Sequence, residues 1–139
     1  MRVVQTMTPM SPLPAEPRIL VIAMRRLGDV LLTTPLVRSL RLGFAGARVD
    51  MLVFRGTEGI LAGNPDIDAV TAVPADATAR DTRALVGSLW RRYDLAISTQ
   101  TGDRPTFLAY AAGRRLLRIR ITRTRRLLGV APMSLPIAP

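Results

Sequence analysis

The hydrophobic pattern of the chain alternates between two kinds of segment. Residues 19–24 (ILVIAM) form an unbroken aliphatic run, the pattern of a parallel strand buried on both faces. Apolar residues then recur at positions 32, 36, 37 and 40, a helical stripe within 30–42. Pro35 admits two readings of that helix: a start with Thr34 as cap and Pro35 in first place, or a start near Asp29 with a bend at Pro35. Residues 48–54 (RVDMLVF) predict a second strand, and 56–63 a short helix ended by Gly63 and the turn pair Asn64–Pro65. A third strand is predicted at 69–73 and a helix at 80–92 with apolar positions 85, 86, 89 and 90. That stripe places Trp90 in the core rather than on a stacking surface. A fourth strand at 95–99 (LAIST) and a helix at 104–112 closed by Gly113 complete the series.

Strands alternating with helices at these spacings predict a doubly wound α/β domain with a parallel sheet and right-handed crossovers. Ligands of such sheets sit outside the carboxyl ends of the strands. The segments to read for chemistry are therefore 25–29 (RRLGD), after strand one, and 100–104 (QTGDR), after strand four.

Composition narrows the chemistry. The 139 residues suit one domain. With 48% hydrophobic and only 4% aromatic residues, the core is aliphatic. The absence of Cys removes disulfides and thiolate metal sites, and the absence of His removes the commonest general base and metal ligand. Acid–base work near neutral pH is left to carboxylates. The net charge of +10 is uneven, because residues 104–139 contain no Asp or Glu. All the basic residues are Arg, which a GC-rich coding sequence explains as well as any function does. The first 17 residues hold four prolines and no apolar run of signal-peptide length, so we expect a disordered extension at 1–17. No run approaches the roughly 20 apolar residues that cross a bilayer. The expected location is the cytoplasm, with peripheral attachment to the inner face of the inner membrane left open.

Three stretches carry a resemblance: LGDVLLTTP (27–35), FRGTEGILAGNPDID (54–68) and YDLAISTQTGDR (93–104). In order and spacing they resemble glycosyltransferase family 9, the heptosyltransferases of lipopolysaccharide core assembly, over about residues 18–113. The 54–68 stretch looks most like the heptosyltransferase III branch. The resemblance implies the Rossmann-like amino-terminal half of a GT-B fold, which receives the acceptor, paired in the family with a second domain that binds ADP-heptose. It implies metal-independent, inverting transfer of heptose to the lipopolysaccharide inner core, with no cofactor and no bound metal. The family's proposed general base, the Asp of the LGD motif, matches Asp29.

A carboxylate can take the acceptor hydroxyl proton in a single displacement, which suits Asp29 to that role. An N-cap is the structural alternative, and both can hold together. Gly28 lies in the same turn, most simply as a backbone requirement. Thr33 and Thr34 serve equally as caps or as acceptor contacts. Arg25 and Arg26 suit an anionic acceptor, the carboxylates or phosphates of an inner-core glycolipid, or else form a solvated surface pair. Gln100 and Arg104 are further acceptor contacts, whereas Asp103 reads equally as a helix cap. Arg55 and Glu58 reach the cleft or lie on a solvated turn. The sequence departs from the family at Ala23, where a basic residue is frequent, and at Ser98, where many members carry Asp. Neither GxGxxG nor GxxxxGK[ST] occurs in the loop after strand one.

After Gly113 the resemblance fades into a basic, divergent tail (114–139). We expect this tail to come from a frameshift or premature stop in a longer gene, and the truncated chain alone to lack transferase activity unless a separate donor-binding half is supplied. Two other readings stand beside that one. The chain could be a small basic α/β module binding anionic glycolipid or nucleic acid through its Arg tail, although no nucleic-acid motif is present and aromatic residues are scarce. It could also be a remnant without function. No nucleic-acid partner is expected.

Overall fold

The aliphatic run after Pro17 becomes the central strand of the sheet, β1 (Arg18–Ala23), in a computed structural model that describes residues 12–100, 103–114 and 116–118. It pairs in parallel with β2 (Arg48–Phe54) on one side and β4 (Leu95–Ser98) on the other. The strands β3 (Ala69–Val73) and β5 (Leu116–Arg118) flank these, giving the order β3-β2-β1-β4-β5. This is the doubly wound order in which chain direction across the sheet reverses between β1 and β4. The α/β parallel fold expected from the pattern is thus present. β5 falls in what the sequence reading assigned to the divergent tail; its backbone pairs with β4 from Ala96 to Ser98 and extends the sheet by one strand. The rest of that tail and residues 1–11 lie outside the described residues. Of the expected disordered extension, residues 12–17 are described: Leu13 packs against the core, and Pro17 is buried and accepts a hydrogen bond from the Arg48 N–H.

Residues of β1 alternate between two apolar layers, as a strand covered on both faces must. Ile19, Val21 and Ala23 meet Val30, Val37 and Leu40 on one face. Leu20, Ile22 and Met24 meet Leu89, Leu108, Ala109 and Ala112 on the other. Helices α1 (Leu27–Leu31) and α2 (Thr34–Gly43) cover the first face, and α3 (Ala79–Leu89) and α4 (Asp103–Ala112) the second. The segment predicted as one helix at 30–42 is divided. α1 starts before Asp29, the chain breaks at Leu32–Thr33, and Pro35 sits in the first turn of α2, where its missing N–H costs nothing. The short helix expected at 56–63 is a 3₁₀ turn over Glu58–Leu61, followed by Gly63 at φ +74.

Trp90 is not in the core. α3 ends at Leu89, so the stripe that would carry Trp90 inward stops one residue earlier, and its side chain is 60% exposed. The start of α3 is fixed by a reciprocal capping box: Thr78 accepts from the Asp81 N–H, and Asp81 accepts from the Thr78 N–H. The Thr78 hydroxyl, which donates to Asp81 Oδ2 at 2.7 Å, and then the Thr78 N–H hold the Asp81 carboxyl below the usual carboxylate range.

At the amino edge of the sheet, the buried Tyr93 hydroxyl donates to Asp50 Oδ2 at 2.9 Å, and Arg48 pairs with the same carboxylate at 3.2 Å. The Arg18 guanidinium lies 5.9 Å from the centre of the Tyr93 ring. Burial, and then the hydrogen bond to Asp50, push the Tyr93 phenol up to about 12. A raised folded-state value means that the native protein keeps this proton after the unfolded chain has lost its own. The associated stability is full below the unfolded value near 10 and is lost as pH rises towards about 12. Chemical denaturation between pH 8 and pH 11.5 should therefore show a fall in stability above about pH 10 that is much reduced in Tyr93→Phe. At neutral pH the variant should be less stable by about 1.5 kcal/mol, the typical cost of a lost hydrogen bond to a charged group.

Candidate active site

The carboxyl ends of β1, β2 and β4 border an open cleft of about 570 Å³, lined by Met24, Arg25, Arg26, Asp29, Phe54, Thr57 and Gln100. It lies where the strand order reverses, the position at which doubly wound sheets hold ligands. Asp29 is in the first turn of α1, and its side chain is 44% exposed. The N-cap of α1 is Arg26, in extended conformation, so the capping alternative for Asp29 is corrected: it stands three residues inside the helix. Its carboxylate meets Arg25 at 3.9 Å, beyond hydrogen-bond distance and between two exposed side chains, a contact worth little. Asp29 is thus a carboxylate held in place by its helix and free to accept a proton from a ligand.

Gln100 reaches the cleft from the end of β4. Thr99, just before it, donates both its N–H (3.2 Å) and its hydroxyl (3.0 Å) to the carbonyl of Ile22 in β1. The fully buried Ser98 hydroxyl donates to the Gln100 carbonyl at 3.1 Å and accepts from the Gln100 N–H at 3.4 Å. Ser98, in the position where the family frequently has Asp, therefore serves the backbone and does not face the cleft.

Arg25, Arg26, Asp29 and Gln100 are brought together as the sequence reading expected; the other candidates are not. Gly28 does not line the cleft. Its expected backbone role is corrected, because it is helical without positive φ and a Cβ there would meet nothing within 4 Å. Thr33 is buried, and its hydroxyl donates to the Val30 carbonyl at 2.6 Å; Thr34 does the same to Leu31 at 2.8 Å. Both satisfy carbonyls at the end of α1. Arg104 turns towards the loop after β3, where Nη1 donates to the Ala75 carbonyl at 3.4 Å. Asp103 opens α4 and is exposed. Arg55 is exposed outside the cleft, and Glu58 accepts from the Gly56 N–H on its own turn. Phe54 and Thr57 are additions that the reading missed. They follow β2, a neighbour of β1, and the rule that ligands sit at the carboxyl edge would have found them had it been applied to that strand as well.

The lining is two guanidinium groups, one carboxylate, one amide, Thr57 and the apolar walls of Met24 and Phe54. Such a set can hold an anionic, hydroxylated molecule and take a proton from it. Among the described residues no group of three His, Cys, Asp or Glu side chains is placed to hold a metal ion, and no helix is long and apolar enough to cross a membrane.

No protein-family model matches the chain. A 50-residue segment is 42% identical to lipopolysaccharide heptosyltransferase 3 of Escherichia coli K12, covering 36% of this chain and 14% of that protein. A family 9 glycosyltransferase of Veillonella parvula shares the fold with a TM-score of 0.64 at 22% identity, over 73% of this chain and 32% of that one. An E. coli heptosyltransferase solved with ADP-2-deoxy-2-fluoro heptose gives 0.59 at 24% identity, over 70% and 35%. The chain matches about a third of the length of these solved proteins. Fold and cleft define one Rossmann-like unit, a fold the chain shares with these solved proteins. Over the shared 50-residue segment the chain is similar to a lipopolysaccharide heptosyltransferase.

The placement of Gly28 gives a direct check. Gly28→Ala should leave the thermal midpoint unchanged or raise it, by up to about 1 kcal/mol in stability, because Ala favours the helix that Gly28 occupies. A midpoint lowered by several degrees would show a backbone requirement after all.

Proposed function

We propose that the cleft is the acceptor site of an inverting glycosyltransferase that transfers heptose from ADP-heptose to the inner core of lipopolysaccharide, with Asp29 as general base. The observation that carries this reading is Asp29 itself: a carboxylate without a hydrogen-bond partner among the described residues, fixed on a helix beside two arginines at the carboxyl edge of the sheet. In the reaction, the acceptor oxygen forms a bond to the anomeric carbon as its proton passes to Asp29. The bond from that carbon to the diphosphate breaks in the same displacement, and ADP leaves with the electron pair. Arg25 and Arg26 hold the anionic groups of the acceptor glycolipid, and Gln100 contacts its sugar. The relative solved with an ADP-heptose analogue supports the donor. A donor-binding half completes the site, and the protein works at the membrane surface where its glycolipid acceptor lies.

In an assay combining the chain with the donor-binding half of an E. coli heptosyltransferase, Asp29→Asn should lower kcat for transfer from ADP-heptose by about 10²–10⁴. The KM for the acceptor should change little. Binding of an anionic inner-core glycolipid to the chain alone should weaken about tenfold in Arg25→Ala and fall with added salt. Transfer retained by Asp29→Asn would remove the base from this account.

A further inference from the structure

The α3–α4 layer, on the opposite face of the sheet from Asp29, exposes three aromatic side chains: Trp90 at 60%, Phe107 at 55% and Tyr110 at 73%. The other aromatic residues, Phe44, Phe54 and Tyr93, are half-buried or buried. Phe107 and Tyr110 stand three residues apart on the outer stripe of α4, whose inner face is buried through Leu108, Ala109, Ala111 and Ala112. The Arg91 N–H donates to the Ala111 carbonyl at 2.9 Å, which sets Trp90 at the end of α3 beside the end of α4. Arg91 and Arg92 follow, both exposed. Arg91 takes φ +48, a left-handed backbone that is costly for a residue with a Cβ. Among the described residues its guanidinium has no hydrogen-bond or ion-pair partner, and Arg92 only returns one N–H to the Ser88 carbonyl at 3.3 Å. Residues 82–93 and 104–113 contain no Asp or Glu.

We propose that this face docks on an anionic lipid bilayer, with the three aromatic rings in the interfacial layer and Arg91 and Arg92 against lipid phosphates. Indole and phenol join an apolar body to a polar tip, which suits the boundary between headgroups and acyl chains. Arginines beside them are drawn to a negative lipid surface, and no carboxylate on these segments opposes that attraction. A second copy of the chain is a poorer occupant, because it would bring arginines together on a protein of net charge +10. The inference goes beyond the acceptor-site reading, which calls for a membrane but assigns it no face. It stands or falls separately from Asp29.

Trp90 is the sole tryptophan of the chain, so its fluorescence reports on this face directly. The full 139-residue chain is titrated with vesicles of phosphatidylglycerol and phosphatidylcholine in equal parts, and with phosphatidylcholine alone. On the mixed vesicles we expect Trp90 emission to shift to the blue and to be quenched by brominated acyl chains. Binding should be about tenfold weaker on the neutral vesicles and should fall with added salt. Phe107→Ser combined with Tyr110→Ser leaves every charge in place and should weaken vesicle binding about tenfold. The thermal midpoint of this variant should stay within about 2 °C of the wild type, since both positions are exposed. Vesicle binding without a change in Trp90 emission overturns the proposal, because the attachment then lies elsewhere on the chain. Absence of vesicle binding, or unchanged binding by the double variant, overturns it too. A blue shift on concentrating the protein without lipid assigns the face to a second copy, and an equal response to oligodeoxythymidylate assigns it to nucleic acid; either result also overturns the proposal. Should the double variant fail to fold, quenching of the wild-type Trp90 by brominated lipid decides alone.

Discussion

The parallel pairing of β1 with β4 is the constraint on which the cleft depends. β1 is covered by apolar layers on both faces and by a strand on each edge, so its carboxyl end has one direction in which to leave the sheet. At that end the Ile22 carbonyl receives both the N–H and the hydroxyl of Thr99. This joint locks the exits of the two strands together at the point where the chain reverses its course across the sheet. The turn leading to Asp29 leaves on one side and Gln100 on the other, and the gap between them is the cleft.

What the cleft can do follows from how its groups are, and are not, satisfied. Other carboxylates of the domain are engaged in structure: Asp66 and Asp68 bind Arg38 and Arg41 of α2, Asp81 closes a capping box, and Asp94 takes the Arg18 N–H. Among the described residues Asp29 has only a 3.9 Å contact with an exposed arginine. Across from it, the Gln100 amide is buried and unpaired. A carboxylate with two guanidinium groups beside it in one cleft can hold a hydroxylated anion. That chemistry agrees with the similarity of the 50-residue segment to a heptosyltransferase.

Much of this was legible in the sequence because burial on both faces leaves an unmistakable aliphatic signature. The second and third strands were read at their observed boundaries, 48–54 and 69–73, and the edge rule led to Arg25, Arg26, Asp29 and Gln100. Misreadings arose where tertiary structure overrides a local pattern. α1 has five residues, too few for a helical period to show, so Gly28 looked like a turn glycine. Trp90 continued an apolar stripe past the point where the helix stops. Thr33 looked like a ligand contact, but its hydroxyl is needed by a carbonyl one turn back. Strand β5 begins among arginines, whose charge masked its pairing with β4. Phe54 and Thr57 follow β2, a third strand whose carboxyl end borders the cleft, and neither residue type carries a chemical signature of its own in the sequence.

The central claim is that Asp29 receives the proton of an acceptor hydroxyl held in this cleft. A crystal structure of the protein soaked with an anionic inner-core oligosaccharide tests it most directly. The account predicts a sugar hydroxyl within about 2.6–3.2 Å of an Asp29 carboxylate oxygen, with the anionic group against Arg25 or Arg26. An oligosaccharide bound in the cleft with every hydroxyl out of reach of Asp29, or bound elsewhere on the protein, would contradict it.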